Sequence, residues 1–422
     1  MIRVSVREDM TAAGGFAEVL PVAAPEDLGK LPGRKLSGAG DLLLAVSPSA
    51  GEELLRETER FAAFLNFFLR SLGELSKELE EYNAGLTDGD CRPQVGESLA
   101  EFARMNGGGK CIRGTLAKLG YSLFSGRTDT AYADGLAQAF EIIQTSILIH
   151  DDIIDHASLR RNKTTIPYSY LARWRAAGKE LPPAEAMDTA NSMALCAGDL
   201  GIFLSLRVLL RAYREDSRLP RLMDYFNTAI LNTIQGEIID VALPFEEKHG
   251  LSRESDLYQS IIDIFRLKTS WYTVTGPLCA GALLAGCGER ELGALEEFCE
   301  AVGVAFQIKD DIMGLFSREA ALGKDVGSDA AEFKQTLFYY FMRTREALYP
   351  RLLEYYGRPL RREELAALQD LLRDCGALAY AEGEMQRCFQ RARDLLEGVE
   401  FLPEEKKDLL YGLLTFLRYR DK

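Results

Sequence analysis

Ser146-Ile147-Leu148-Ile149-His150-Asp151-Asp152-Ile153-Ile154-Asp155 is an apolar helical run that ends in three carboxylates. Asp151 and Asp155 are four residues apart, so on a helix they share one face. Two carboxylates side by side repel each other unless a cation sits between them. An all-oxygen set suits a hard cation, magnesium rather than zinc. Magnesium is usually held by one or two carboxylates, with waters and substrate phosphates completing its shell. The plain alternative is a solvated acidic helix end. Against it, the C-terminal end of a helix is a poor place for negative charge. The apolar residues before the acids also point to a buried helix that opens into a cavity.

A second acidic pair lies in Phe306-Gln307-Ile308-Lys309-Asp310-Asp311-Ile312-Met313-Gly314, again after an apolar run. Two acidic helix faces directed into one cavity make room for several magnesium ions around a diphosphate. Together the two motifs resemble the trans-isoprenyl diphosphate synthase (polyprenyl synthetase) family, in particular its farnesyl and geranylgeranyl diphosphate synthases. The resemblance covers most of the chain, with motifs in family order from about Gly107 onward. It implies an all-α fold, an isoprenoid synthase-type helical bundle around a central cavity, and a homodimer. It also implies three magnesium ions when substrate is bound, with Asp151, Asp152, Asp155, Asp310 and Asp311 as the metal residues.

The basic motifs fit the same frame. In Gly107-Gly108-Gly109-Lys110-Cys111-Ile112-Arg113 the glycines let backbone N–H groups approach an anion, and Lys110 and Arg113 supply charge. The run resembles the family's GGKxxRP segment, which holds isopentenyl diphosphate, with Gly114 in place of the proline. Gln144 stands nearest the position of a family histidine that touches the same substrate. Arg160 and Arg161 follow the first acidic motif, and guanidinium groups bind phosphate oxygens bidentately. They resemble the family's LRRGxPT segment, with Asn162 and Thr164 in place of Gly and Pro. By that match Arg160 faces the allylic diphosphate and Arg161 the isopentenyl diphosphate.

Lys268-Thr269 lies in an apolar helical stretch, Tyr258 to Leu284, with Gly276-Pro277 towards its end. A lysine in such surroundings is costly unless it meets an anion. The resemblance makes Lys268 a contact of the allylic diphosphate and turns a kinked backbone carbonyl towards the developing carbocation. Gly236-Glu237-Ile238-Ile239-Asp240 resembles the family's GQxxD segment. The second acidic motif departs from the pattern, because Gly314 replaces its third Asp and Ser317-Arg318 stands near the place of a Gly-Asp. Gly323-Lys324-Asp325-Val326-Gly327-Ser328-Asp329 matches GKxxGxD, so Lys324 would reach the allylic diphosphate. Lys334 occupies a further basic position, with Phe333 where Gly is common. The resemblance thus gives Lys268, Thr269, Gln307 and Lys324 as catalytic residues. It gives Gly109, Lys110, Arg113, Gln144, Arg160, Arg161 and Lys334 as substrate-binding residues.

Product length should follow the wall below Asp151, formed by Ile147, Ser146, Ile143 and Phe140. Ile147 and Ser146 leave the upper pocket open. Phe140 lies eleven residues before Asp151, about 16 Å down at helical rise. That depth suits a product of three or four prenyl units.

The chain has 422 residues and a net charge of −14, with a pI near 5.0, a poor balance for binding nucleic acid. Eight cysteines show no clustered spacing, which reads as reduced thiols in a cytoplasmic protein. Three histidines argue against a histidine-rich zinc site. No uncharged apolar run reaches membrane-spanning length, and the N-terminus lacks a signal-peptide core. Residues 1–50 are rich in Ala, Gly and Pro, and read as an extension with a short strand at Ile2, Val4 and Val6. Residues 51–422 read as one all-helical domain without further strands, with residues 168–183 as a linking segment. Two other functions share parts of this pattern. A class I terpene cyclase needs no second diphosphate site, so Lys110, Arg113 and Arg161 argue against it. A non-catalytic subunit of a heteromeric synthase stays open through Gly314, Ser317 and Arg318, while the intact first motif, Lys268 and Lys324 weigh against it.

Overall fold

The computed structural model describes residues 1–6, 18–30, 42–47, 51–87, 91–127, 129–251, 253–316 and 326–419. Apolar residues recurring at threes and fours from Glu52 form α1 (Glu52–Leu86), whose buried face carries Phe61, Phe64, Phe67 and Phe68. Then follow α2 (Pro93–Asn106), α3 (Ile112–Phe124), α4 (Asp134–Ile154), α5 (Ile166–Ala176), α6 (Pro183–Ala212), α7 (Leu219–Lys248) and α8 (Glu254–Ile264). A π-helical segment (Phe265–Thr275) leads into α9 (Gly276–Leu284) and α10 (Glu289–Phe316). The rest comprises α11 (Ser328–Ala331), α12 (Leu337–Arg343), α13 (Tyr349–Leu353), α14 (Arg362–Asp374), α15 (Ala377–Glu397) and α16 (Glu404–Tyr419).

The helices pack as an all-α bundle. α4 lies on α6, α3 on α9, α10 on α15, and the π-helical segment between α7 and α10. α3 and α9 cross backbone to backbone at Gly120 and Gly281. A Cβ on Gly281 would lie 2.8 Å from the Tyr121 nitrogen, and one on Gly120 would lie 2.7 Å from the Leu278 carbonyl carbon. This crossing holds α4 and the π-helical segment at a fixed spacing, because each packs against one of the crossing pair.

Three stretches depart from the sequence reading. The first is a short hairpin over residues 159–164, where no strand was expected, because two left-handed residues at its tip let the chain reverse. The expected linking segment at residues 168–183 is largely helix, α5, whose Tyr170 is fully buried against Trp174. The N-terminal region holds more than one strand. β1 (Ile2–Val6), β2 (Glu18–Val22) and β3 (Leu42–Val46) form a parallel sheet in the order β1-β3-β2. The central strand, Leu-Leu-Leu-Ala-Val, is wholly buried and so shows no alternation. The Asn66 side chain bonds both backbone groups of Ile2 at 2.8 Å, satisfying the edge of β1 from α1. Sheet, α1 and α16 share one apolar core, in which Phe416 packs against Phe64 and Phe68.

α6 is the one helix among the described residues that is long and apolar enough to cross a membrane by length and composition. Its exposed apolar residues include Leu195, Phe203 and Leu210. α7 carries a matching stripe, Leu231, Ile234, Ile238, Val241 and Phe245, between 46% and 62% exposed. The three–four spacing of that stripe is the seam by which one helix meets another.

Candidate active site

α4 runs from a fully buried middle to an open end, and its last turn presents Asp151 and, just beyond the helix, Asp155. Both line a cavity of about 670 Å³. Asp152 does not. It is 2% exposed and points behind the cavity wall, where Arg160 Nε donates to it at 2.6 Å. The other Arg160 arm donates to Asp151 at 2.7 Å. Arg160 thus orients the motif from the short hairpin β4 (Leu159–Arg160) and β5 (Lys163–Thr164). Arg161 and Asn162 form its tip with φ of 54° and 59°. Two successive left-handed residues make the turn that matches strand twist, and Asn tolerates it better than most. The strained backbone at Arg161 aims its guanidinium at the glycine turn, where a Cβ on Gly109 would lie 2.7 Å from Nη1.

Opposite this wall stands the π-helical segment. Pro277 has no N–H to donate one turn back, and the distortion falls in the turns just before it. Here the single helix expected over Tyr258–Leu284 widens. The widened turns carry Lys268, Thr269, Tyr272 and Thr273. Lys268 Nζ lies 2.6 Å from Asp240, 2.7 Å from Glu237 and 3.4 Å from Asp151. Burial works against its charge, but these carboxylates outweigh burial and hold the lysine protonated. Burial also pushes Asp151 up, yet Lys268, Arg160 and Lys334 outweigh it and keep the carboxyl below its usual range. Asp152 differs: burial dominates and lifts it to about 6.

α10 supplies the third wall. Gln307 Nε2 donates to Asp311 at 2.6 Å, and its Oε1 accepts from the Thr269 hydroxyl at 2.6 Å. Asp310 and Asp311 line the cavity, with Asp329 and Lys334 from the segment that follows. Lys334 Nζ reaches Asp155 at 3.1 Å and Glu332 at 3.0 Å. Burial and the neighbouring Asp329 raise Asp311 well above the carboxylate range.

The fourth wall is a cationic pocket. Arg113 donates to Thr273 at 2.7 Å, and its guanidinium lies 3.9 Å from the centre of the Tyr272 ring. The Gln144 amide satisfies all its neighbours in one orientation. Its oxygen accepts from Arg113 and Arg161, both at 2.8 Å, and its nitrogen donates to Glu141 at 2.9 Å. Glu141 is buried beneath them and accepts from the Gly114 backbone at 2.8 Å. Burial raises its pKa against the pull of both arginines. Gly109, Lys110, Arg113, Gln144 and Arg161 line the same cavity as the carboxylates, and the Gln144 amide joins Arg113 and Arg161 into one cationic group.

Of the residues named from sequence, Asp151, Asp155, Asp310, Asp311, Arg160, Lys268, Thr269, Gln307 and Lys334 line the cavity with this cationic group. The proposed wall below Asp151 does not. Phe140 and Ile143 are buried in a separate core with Phe226, the Ser146 hydroxyl donates to the Gly198 carbonyl, and Leu148 rather than Ile147 reaches the cavity. Lys324, Ser317 and Arg318 lie outside the described residues. Glu141, Tyr272, Thr273 and Leu148 went unsignalled; only Glu141, a lone charge in an apolar run, offered a hint.

The carboxylates fit a hard divalent ion. Donors are all oxygen, and the buried Oδ2 atom of Asp311, on the cavity wall, has no hydrogen-bond partner. Among the described residues no three metal-ligating side chains come close enough to hold an ion alone. Such a site needs oxygens from a bound ligand, as magnesium sites on phosphates do.

A polyprenyl synthetase family model matches residues 97–372. A geranylgeranyl diphosphate synthase from Sulfolobus acidocaldarius is 27% identical over 84% of this chain and 97% of its own length. A heptaprenyl diphosphate synthase component 2 from Geobacillus stearothermophilus is 27% identical over 86% of this chain and 99% of its own. The fold matches a geranylgeranyl pyrophosphate synthase from Corynebacterium glutamicum, solved with isoprenyl diphosphate and magnesium. That match has a TM-score of 0.73 and 23% identity over 83% of this chain and 99% of that one.

Proposed function

The chain belongs to the polyprenyl synthetase family, and from that premise we propose that its cavity joins an allylic diphosphate at the carboxylate wall to isopentenyl diphosphate at the cationic wall. It is a magnesium-dependent prenyltransferase that makes linear prenyl diphosphates. The observation that carries the assignment of substrates to walls is the joining of Arg113 and Arg161 through the Gln144 amide into a second cationic group on the cavity, besides Arg160, Lys268 and Lys334 among the carboxylates. A terpene cyclase, with one diphosphate substrate, has no use for that second group.

Asp151, Asp155, Asp310 and Asp311 would hold magnesium, three ions with substrate bound. When bound, the ions neutralise charge on the allylic diphosphate. Arg160, Lys268 and Lys334 surround the same diphosphate and stabilise the charge that builds as it leaves. The C1–O bond breaks and its electron pair departs with diphosphate. The Thr269 region and its Gln307 partner present dipoles to the cation left at C1, beside the apolar lining of Leu148, Phe265 and Phe306. The isopentenyl double bond, held at the cationic wall, bonds C4 to that C1. A proton then leaves C2 for the released diphosphate, so no side-chain base is required.

The exposed apolar stripes of α6 and α7 support a homodimer, because they place large apolar residues at helix-pairing spacing that no described residue covers. Free cysteines throughout support a cytoplasmic setting. Residues 51–422 form the catalytic unit. Phe140 packs 4.9 Å from Phe226 in the core outside the cavity, so this aromatic pair would limit products to three or four prenyl units by blocking extension of the cavity rather than by lining it. Phe140→Ala should then lengthen the product by one or more units, read by chromatography of the dephosphorylated alcohols. The test of function is incubation of purified protein with magnesium, labelled isopentenyl diphosphate and each allylic primer. A linear prenyl product is expected. No incorporation with any primer would defeat the condensation reading.

A further inference from the structure

A cavity of about 310 Å³ lies between α1, α15 and α16, and it shares no residue with the cavity described above. All of its lining residues fall outside residues 97–372, the segment that the family model matches. The pattern shared with the family therefore says nothing of its chemistry.

The chain as a whole is acidic, with a net charge of −14, yet this lining is basic. It takes Arg60 from α1, Arg387 and Arg393 from α15, and Arg418 from α16, against one carboxylate, Glu57. Three of these arginines are held by carboxylates that stand outside the cavity. Arg60 Nε donates to Asp408 at 2.6 Å, Arg387 pairs with Glu384, and Arg393 Nε reaches Glu397 at 4.0 Å. The Tyr411 ring restricts two of them further, because the Arg60 and Arg393 guanidinium groups lie 3.9 and 5.6 Å from its centre.

Arg418 differs. Among the described residues no carboxylate pairs with it, and its Nε is shielded from solvent without a hydrogen-bond partner. Glu57 does not answer it, since that carboxylate accepts from the Thr415 hydroxyl at 3.2 Å instead. A buried donor left without an acceptor is costly. Guanidinium forks held in fixed positions match phosphate oxygens, which they bind in pairs. Four of them around one small space favour an anion that carries several charges over a single carboxylate. Phe389 and Leu414 add apolar surface to the lining, which strengthens that attraction.

We propose that this cavity is a second, non-catalytic site for a diphosphate-class anion, either inorganic diphosphate or the head of a prenyl diphosphate. Diphosphate is the ion that the condensation releases, and it is therefore the probe. The site itself stands on its own lining and does not depend on that reaction.

The test is hydrogen–deuterium exchange of the full chain, read by mass spectrometry, with EDTA present so that no divalent ion draws the anion to the carboxylate wall. Inorganic diphosphate or farnesyl diphosphate should slow exchange in α15 and α16. Protection by inorganic diphosphate assigns the free anion, and protection by farnesyl diphosphate alone assigns the prenyl-borne one. Arg393→Gln with Arg418→Gln should raise the half-saturating concentration by roughly 10- to 100-fold, the scale of losing hydrogen bonds to a charged group. Arg387→Gln should raise it by about 10-fold. The Arg387 side chain is 63% exposed and pairs within its own helix, so this variant carries the test if melting shows the double variant unfolded. Arg113→Gln, in the other cavity, should leave the protection of α15 and α16 unchanged. No protection there by either compound at millimolar concentration, or equal protection in the variants of Arg387, Arg393 and Arg418, would overturn the proposal. Loss of the protection in Arg113→Gln would overturn it too, by tracing the signal to the catalytic cavity. Failure of the condensation reading shows separately, as absence of label incorporation with this protection intact.

Discussion

Gly236 lies against the backbone of Lys268 so closely that a Cβ there would fall 2.7 Å from the Lys268 Cα. α7 can then approach the π-helical segment far enough for Asp240 and Glu237 to hold the lysine ammonium. Gly236→Ala should push that segment outward and lower turnover by on the order of 100-fold, the scale of a catalytic group misplaced by about 1 Å. Gly293→Ala, which meets nothing within 4 Å, is the matched control and should leave turnover unchanged. Steady-state rates at saturating substrate would check both. At this scale the sequence was most readable where charge interrupts apolar runs, as at Asp151, Lys268 and Asp310. It was least readable where a residue acts through a neighbour from another element. Glu141 supports Arg113 and Arg161 by way of Gln144, and no spacing rule joins four residues from three elements. Arg161 was legible as a cation, but its left-handed backbone was not, since only the hairpin imposes it.

Helices were legible because their apolar residues keep a 3.6-residue period over many turns. The strands of the N-terminal sheet were not. Each has five residues, and buried Leu42–Val46 reads equally well as a helix fragment. The π-helical segment also escaped the sequence reading, because Pro277 announces a break without saying how the preceding turns respond. The stripes of α6 and α7 give the prediction that belongs to elements. A double substitution, Phe203→Glu with Ile238→Glu, should place charge in the middle of the exposed apolar face and dissociate the proposed homodimer. Light scattering after size exclusion should then fall from twice 47.0 kDa to 47.0 kDa. A wild-type chain already running at the monomer mass would remove the dimer from the account.

The whole molecule stores unusual protonation in its acidic groups. Burial lifts Glu141, Glu237, Asp311 and Glu332, and lifts Asp152 from 3.8 to about 6. Between those two values the folded chain holds the Asp152 proton and the unfolded chain does not. That contribution to stability is therefore present at low pH and is lost as pH rises from about 4 through 6. Asp151 runs the other way, contributing stability above the ordinary carboxylate range and losing it on strong acidification. Calorimetry should show Asp152→Asn flattening the decline in melting temperature between about pH 4 and pH 6. An unchanged decline would exclude Asp152 as a source.

One feature of the packing governs how the chain comes to be folded at all. Among the described residues, α16 is the main packing partner of α1 and joins the N-terminal sheet in one core. α1 starts at Glu52 and α16 at Glu404, so synthesis at about 5–20 residues per second separates them by roughly 20 to 70 s. Through that interval the phenylalanine face of α1 waits on the ribosome without its partner. Nascent chains should therefore depend on a holding chaperone until the last helix emerges. Loss of the final helix should yield aggregation rather than a smaller working enzyme.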